Sequence, residues 1–433
     1  MLYKPAYYDD FQCTAADCPC NCCHDWEISV DPETARQWRG RLLPEGMEVR
    51  RRIRKKMAAI RHMDSLLTGS HRPGVNRKIS MNPDGRCPFL DERGLCRIVL
   101  TYGDDMLSKT CQTYPREIRT FRVSGGFRRE YTLASGCPAL LDILWKQDHF
   151  QVQEVNETIS APQAQAAAKG PFGAEGSPGK MDIFLLIRTC FLKLAGNPAY
   201  KPRTALKLMF LALTDLIGMK AEKGALTLDM VRTYFRNTDF DTACREVEKA
   251  DVLGKSFSMS EHNNLFQDIS VEYRKRKIYT GFLEPLAWLS QEYSVFDEDG
   301  VPTEAYTARR AEGKADRNWD RLFADFRSRA GAFEKHFRLL LSNEIYSELV
   351  LPETETLEDL MVKLEWMALE CGVLMQSLFL TFVKDGQLTY ESVRECVYII
   401  IRMTGYSDDD IREYMENSFD DILWPWWYMN DIV

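Results

Sequence analysis

Nine of the chain's 13 cysteines lie between Cys13 and Cys137, and their spacing is the first sign of chemistry. The opening group, FQCTAADCPCNCCHDW, runs C-x4-C-x-C-x-CC and ends in the adjacent pair Cys22 and Cys23. A second group follows as Cys87-Pro88, Cys96, Cys111 and Cys137-Pro138, with 8, 14 and 25 residues between successive thiols. Thiolates are soft ligands, and four around one centre suit zinc or an iron–sulfur cluster. Zinc asks for a tetrahedron at about 2.3 Å per bond. Two adjacent cysteines rarely both satisfy it, so one of the pair turns away or a larger cluster or second metal is present. A proline after a ligating cysteine stiffens the turn and removes a competing N–H. The bland alternatives are packed thiols and disulfides. Reducing compartments keep thiols reduced, so this density favours metal over disulfide there. The four remaining cysteines, Cys190, Cys244, Cys371 and Cys396, are scattered singly and read as buried structural thiols.

One alternative fails on spacing. The C-x3-C-x2-C signature of radical S-adenosylmethionine enzymes would follow Cys18 and Cys22 with a cysteine at position 25, where the chain has Asp25. His24, directly after the cysteine pair, reads as a packed or solvent-facing residue before a ligand. Tyr114, in CQTYPRE, reads as structural. Carboxylates are plentiful, but no motif pairs them, so no general base is nominated. No Gly-rich turn with phosphate-binding spacing is present; GPFGAEGSPGK (170–180) lacks the glycine spacing and terminal Ser/Thr of a P-loop.

The elements that must position this sulfur follow from composition and periodicity. The chain has 433 residues, 45% of them apolar and 28% charged, enough for two or three domains with a sizeable core. Its first residues carry no basic region followed by an apolar stretch, and runs such as IFLLI (183–187) and LMFLAL (208–213) are too short to cross a bilayer. These features predict a soluble, cytoplasmic protein with no membrane partner. Residues 1–150 carry 24 Lys and Arg against 19 Asp and Glu, and the remainder 32 against 45. Neither balance is that of a dedicated nucleic-acid binder. Seven basic residues crowd between Arg50 and Arg61 and read as a solvated face.

The predicted fold is mainly α, with a small irregular cysteine-rich metal-binding N-terminal domain (1–150) packed on a multi-helix C-terminal domain (181–433). In the first part, NPDGRCPFLDERGLC (82–96) and RVSGGFRREY (122–131) predict short hairpins. Val49, Ile53, Met57, Ile60 and Met63 recur at helical spacing and predict a helix. APQAQAAAKGPFGAEGSPGK (161–180) reads as a linker or mobile loop within 151–180. Beyond it about ten helices are expected, including one periodic stretch over 317–349. Thr356–Asp359 and Ser407–Asp410 mark helix starts. The aromatic tail WPWWYMNDIV predicts docking on the helical core.

Four stretches carry a resemblance. FQCTAADCPCNCCHDWEISVD (11–31), CPFLDERGLCRI (87–98), LSKTCQTYPRE (107–117) and LASGCPALL (133–141) are similar to the flagellin lysine N-methylases, a family with a divergent CxxCxxCC zinc- or iron-chelating cysteine cluster. The likeness covers about the first 140 residues. It implies a cytoplasmic protein lysine N-methyltransferase that acts on flagellin, with S-adenosylmethionine as methyl donor. It further implies an iron–sulfur cluster, 4Fe-4S before zinc, and as ligand candidates Cys13, Cys18, Cys22, Cys23, Cys87, Cys96, Cys111 and Cys137. Cys20 departs from the pattern. Eight thiols exceed the need of one cluster, so some are structural or serve another metal. The alternative is a metal-binding or metal-delivery protein without enzymatic activity.

Overall fold

Helical periodicity in the C-terminal two-thirds of the chain becomes helix in the computed structural model. It describes residues 1–24, 28–53, 56–70, 72, 74–155, 178–251, 256–292, 315–405, 407–419 and 421–433. Among them the fold is mainly α, with 16 helices and a few short strands. Contacts divide the chain into two compact units. The sulfur-rich one comprises Phe11–Glu117 with Cys137–Ala139, and the helical one Met1–Asp10, Ile118–Gly136 and Leu140–Val433.

In the helical unit, Leu357–Asp385 is the central element. A capping box opens it: the Thr356 hydroxyl accepts from the Asp359 N–H, and the Asp359 carboxylate accepts from the Thr356 N–H. Gly386, at φ +70°, closes it in the left-handed conformation that glycine adopts without a Cβ penalty. Its apolar residues run all round the helix, which is the pattern of a buried element. It packs against Pro202–Lys223, Ser256–Lys275, Thr280–Glu292 and Tyr390–Thr404. The apolar runs noted in the sequence pass over this helix. By length and composition it is the one described helix able to cross a membrane, yet 78% of its apolar window is buried inside the protein. The aromatic tail docks as expected: helix Trp426–Ile432 packs on Leu357–Asp385 and buries Tyr428, Met429 and Ile432.

A four-stranded sheet belongs to the same unit. Leu2–Pro5 lies between Gly126–Leu133, parallel to it, and Val152–Val155, antiparallel to it, and Arg116–Val123 forms the far edge beside Gly126–Leu133. The hairpin expected over 122–131 is therefore present. Its strand buries Glu130, which is paired with the guanidinium of Arg188 at 2.5 Å. The single periodic stretch expected over 317–349 is two helices, Ala315–Gly331 and Glu334–Glu348. The first ends at Gly331, a poor helix-interior residue, and that divides the stretch. Ser407 caps Asp408–Ser418 as expected. Of the Gly/Pro-rich stretch 161–180, residues up to 177 lie outside those described, and Pro178 opens the helix Pro178–Gly196.

The sulfur-rich unit holds short strands and one-turn helices around a small core. Ser29–Val30, Arg77–Ile79 and Leu67–Thr68 form a three-stranded antiparallel sheet, with Val30 opposite Arg77 and Leu67 opposite Ile79. Its core gathers Ile28, Val30, Trp38, Met63, Leu66, Ile79, Phe89 and Ile98. The helix expected over Val49–Met63 is instead an antiparallel hairpin, Val49–Ile53 with Lys56–Ile60. The physical reason lies in the spacing. A step of four, as from Val49 to Ile53, keeps a helical face, but four is even, so it suits a strand face equally well; Met57, across the turn, is exposed and falls off that face. Pairing Val49 with Ile60 lets both partly buried side chains pack on the core of the unit, and that decides the matter.

Candidate metal centre

Local hydrogen bonding brings four distant segments to one place. The Cys22–Cys23 turn is held by Asn21, whose side-chain oxygen accepts from the Cys23 N–H at 2.8 Å while its amide donates to the Gly94 carbonyl at 3.3 Å. The Cys23 carbonyl accepts from the Cys87 N–H at 2.8 Å, which joins the two cysteine groups through the backbone. Asp91, buried, accepts from the N–H groups of Leu95 at 2.8 Å and Arg93 at 2.9 Å, and these bonds hold its carboxyl below the usual carboxylate range. The turn it organises sets Cys96 opposite Leu90 and in front of the helix Arg97–Tyr102. Cys111 sits in the helix Lys109–Thr113, capped by buried Ser108, whose hydroxyl accepts from the Cys111 N–H at 3.2 Å.

Five of the eight proposed ligands line one cavity as a result: Cys22, Cys23, Cys87, Cys96 and Cys111. The cavity is about 130 Å³. Trp38, Ile79, Phe89 and Ile98 form much of its wall, and the hydroxyl-bearing Ser108, Thr110 and Tyr114 complete it. No lysine, arginine or histidine is among its lining residues. The Trp38 indole N–H donates to the Met106 carbonyl at 2.9 Å, which fixes the aromatic wall. Burial pushes the Cys87 and Cys96 thiols up, and Cys111 up to about 11. Cys23 is raised by its hydrogen bond with Cys22 and then by burial. None of the thirteen cysteines is in a disulfide.

The other three candidates lie elsewhere. Cys13 is exposed, and its sulfur accepts from the Ala15 N–H at 3.4 Å. The Cys18 thiol donates to the Cys20 carbonyl at 3.3 Å. Cys137 is buried in the sulfur-rich unit and does not line the cavity. Among the described residues, no group of three or more His, Cys, Asp or Glu side chains is placed to hold a metal ion. The donor set nonetheless fits a thiolate-bound centre: five soft donors on an apolar wall, with no fixed cation competing for them. Sequence reading missed Asn21 and Asp91, which place the thiols. Asn21 directly before Cys22, and Asp91 in the turn DERG between Cys87 and Cys96, were the available Asx-turn signals.

Comparison with known proteins gives partial matches. The chain is 29% identical over 125 residues to the flagellar biosynthetic protein FliU of Salmonella muenchen, covering 28% of this chain and 64% of that protein. Over 119 residues it is 28% identical to a lysine-N-methylase of Salmonella choleraesuis (strain SC-B67) and to one of Salmonella typhimurium. Those matches cover 28% of this chain and 27% of each relative. The chain thus spans about a quarter of the length of the two methylases. No family model matches, and no solved structure matches.

Proposed function

We propose that the chain is a protein lysine N-methyltransferase that acts on flagellin, takes its methyl group from S-adenosylmethionine and depends on a thiolate-bound centre. The observation that carries the reading is the meeting of five thiols in one cavity, in a chain similar to proteins named lysine-N-methylase. Four of Cys22, Cys23, Cys87, Cys96 and Cys111 would hold the centre, an iron–sulfur cluster before zinc. When bound, such a centre would supply Lewis acidity or electron transfer and would cross-link the unit.

The protein's own residues have defined tasks. Asn21 and Asp91 orient the cysteine turns, and the Trp38–Phe89 wall keeps water from the thiolates. Methyl transfer forms an N–C bond and breaks the S–C bond of the sulfonium, whose electron pair stays on sulfur. The lysine amine must first lose a proton, since its ordinary pKa is about 10.4.

Two measurements test the reading together. Anaerobically purified protein is assayed for iron, sulfide and zinc per chain, and for methyl transfer from S-adenosylmethionine to flagellin. Methylated flagellin together with bound metal supports it. A metal-loaded protein that leaves flagellin unmethylated refutes it in favour of a metal-binding or delivery protein. Full transfer by metal-free protein removes the centre from the reaction.

A further inference from the structure

A second cavity, larger than that of the thiols, lies within the helical unit. It is about 380 Å³ and is built by the helices Pro202–Lys223, Ala315–Gly331, Glu334–Glu348 and Leu357–Asp385. Phe337, Leu341 and Leu374 form part of a mostly apolar wall. Its charged residues differ in depth, and Arg203, whose side chain is 15% exposed, lies below the rim. The side chains of Lys201 and Arg327 remain 45% and 42% exposed and mark a rim, whereas Glu344 is only 8% exposed. Glu370 lies near enough to act on Glu344 and lines the same cavity.

The cations and carboxylates here do not neutralise one another. Lys201 pairs with Glu248, and both Arg203 and Arg327 pair with Asp251. Among the described residues, no ion pair reaches Glu344 or Glu370. Glu370 accepts from the Thr404 hydroxyl at 2.6 Å. The nearest charges, Arg119 beside Glu344 and Lys363 beside Glu370, are engaged with Glu348 and Asp408. A buried carboxyl and a half-buried one in a mostly apolar cavity, neither held in an ion pair, cost free energy that a ligand's positive charge would offset.

The geometry points to this cavity as the seat of a primary alkylammonium, the side chain of the substrate lysine, with Glu344 and Glu370 receiving its ammonium and the apolar wall enclosing its methylenes. This deepens the methyltransferase reading and rests on it. The volume exceeds the needs of a four-carbon amine and leaves room beside the nitrogen for the sulfonium methyl. Burial pushes Glu370 up to about 7 and Glu344 well above its ordinary range. A carboxylate so placed accepts the ammonium proton near neutral pH, after which the amine attacks the methyl carbon and the thioether leaves with the S–C electron pair.

Calorimetric titration of the full chain with n-hexylamine and with Nα-acetyl-lysine methylamide tests the assignment, with hexanol and hexanoate as controls. Saturable binding of both amines and of neither control is expected. Glu344→Gln and Glu370→Gln are each expected to weaken it about tenfold or more, with melting curves as the check on folding. Gly331→Leu gives an independent block. Gly331 lines the cavity, and a Cβ there would meet nothing within 4 Å. Failure of the folded protein to bind either amine overturns the assignment, as does equal binding by the Gln variants. So does S-adenosylmethionine binding that Gly331→Leu abolishes while amine binding survives. Amine binding that depends on both glutamates, in a metal-loaded protein that does not methylate flagellin, upholds the alkylammonium site and sinks only the methyltransferase reading.

Discussion

Removing one thiol separates packing from ligation, and Cys87 is the best thiol to remove. It is 5% exposed and sits in the core of the sulfur-rich unit with Trp38, Ile79 and Phe89. In metal-free protein, Cys87→Ala deletes one buried atom from that core, which costs about 1 kcal/mol. In metal-loaded protein the same change deletes a ligand. Structural zinc sites contribute about 10–16 kcal/mol of apparent binding free energy, so losing one of four donors is expected to cost about 3 kcal/mol or more. Two controls bracket the result. Cys396→Ala, buried in the helical unit beside Thr381, is expected to cost about 1–2 kcal/mol whether metal is present or not. Cys13→Ala, at an exposed site outside the cavity, is expected to change stability by less than about 0.5 kcal/mol. The assay is anaerobic thermal unfolding with and without a chelator, with metal counted per chain. Two compact units need not melt in one step, so the first transition is the one compared. A cost for Cys87→Ala that is equal with and without chelator would refute ligation and leave five thiols that merely pack.

Three further outcomes are expected. Asp91→Ala frees the N–H groups of Arg93 and Leu95 and loosens the turn that sets Cys96; it should cost about 1–3 kcal/mol and lower metal retention, whereas Asp84→Ala should retain metal, as metal analysis will show. Glu130→Gln leaves the buried Arg188 guanidinium poorly compensated and should cost about 3–5 kcal/mol in urea unfolding, while the paired change to Met at both positions should cost much less. Glu365 is fully buried, its one oxygen accepts from the Trp424 N–H at 2.7 Å, and burial raises it from 4.5 to about 8. The folded state holds that proton more tightly than the unfolded chain, so stability falls as pH rises from 4.5 to 8. At about 1.4 kcal/mol per pH unit the loss has a ceiling of about 5 kcal/mol above pH 8. Glu365→Gln should therefore stabilise the protein in urea near pH 9 and change little near pH 4.5.

Local signals were legible in the sequence and long-range ones were not. Thr356 with Asp359, and Ser407 with Asp410, act within one turn of helix, so the chemistry of a few residues suffices to read them. The hairpin over 49–60 was not legible, because its apolar spacing suits two periods and only the core beneath Val49 and Ile60 chooses between them. The same limit applies to the thiols. Their types led to the expectation of a soft centre, but density along the chain was a poor guide to which of them share a cavity. Cys13 and Cys18 belong to the densest run and lie outside it, while Cys111, 88 positions beyond Cys23, lines it. The backbone bond from Cys87 to Cys23 closes that distance, and no sequence pattern encodes it. Glu344 and Glu370 belong to different helices and carried no motif at all.

The surroundings of the five thiols also discriminate between a ligand set and a reactive cysteine. A nucleophilic thiolate needs a nearby cation, an exposed position or a favourable helix N-terminus to lower its pKa. Here the lining holds no lysine, arginine or histidine, the wall is aromatic and aliphatic, and burial shifts Cys87, Cys96 and Cys111 upward. Cys96 stands before a helix of six residues and Cys111 lies in the first turn of one of five, and both are raised. A site that pushes Cys23, Cys87, Cys96 and Cys111 toward the protonated form is unsuited to attack by sulfur. It suits a metal, whose own charge replaces the missing cation and displaces the protons as it binds. Crowding five such groups into about 130 Å³ is otherwise unrewarded, since one methylene-sized side chain in each place would pack as well without the polar atom.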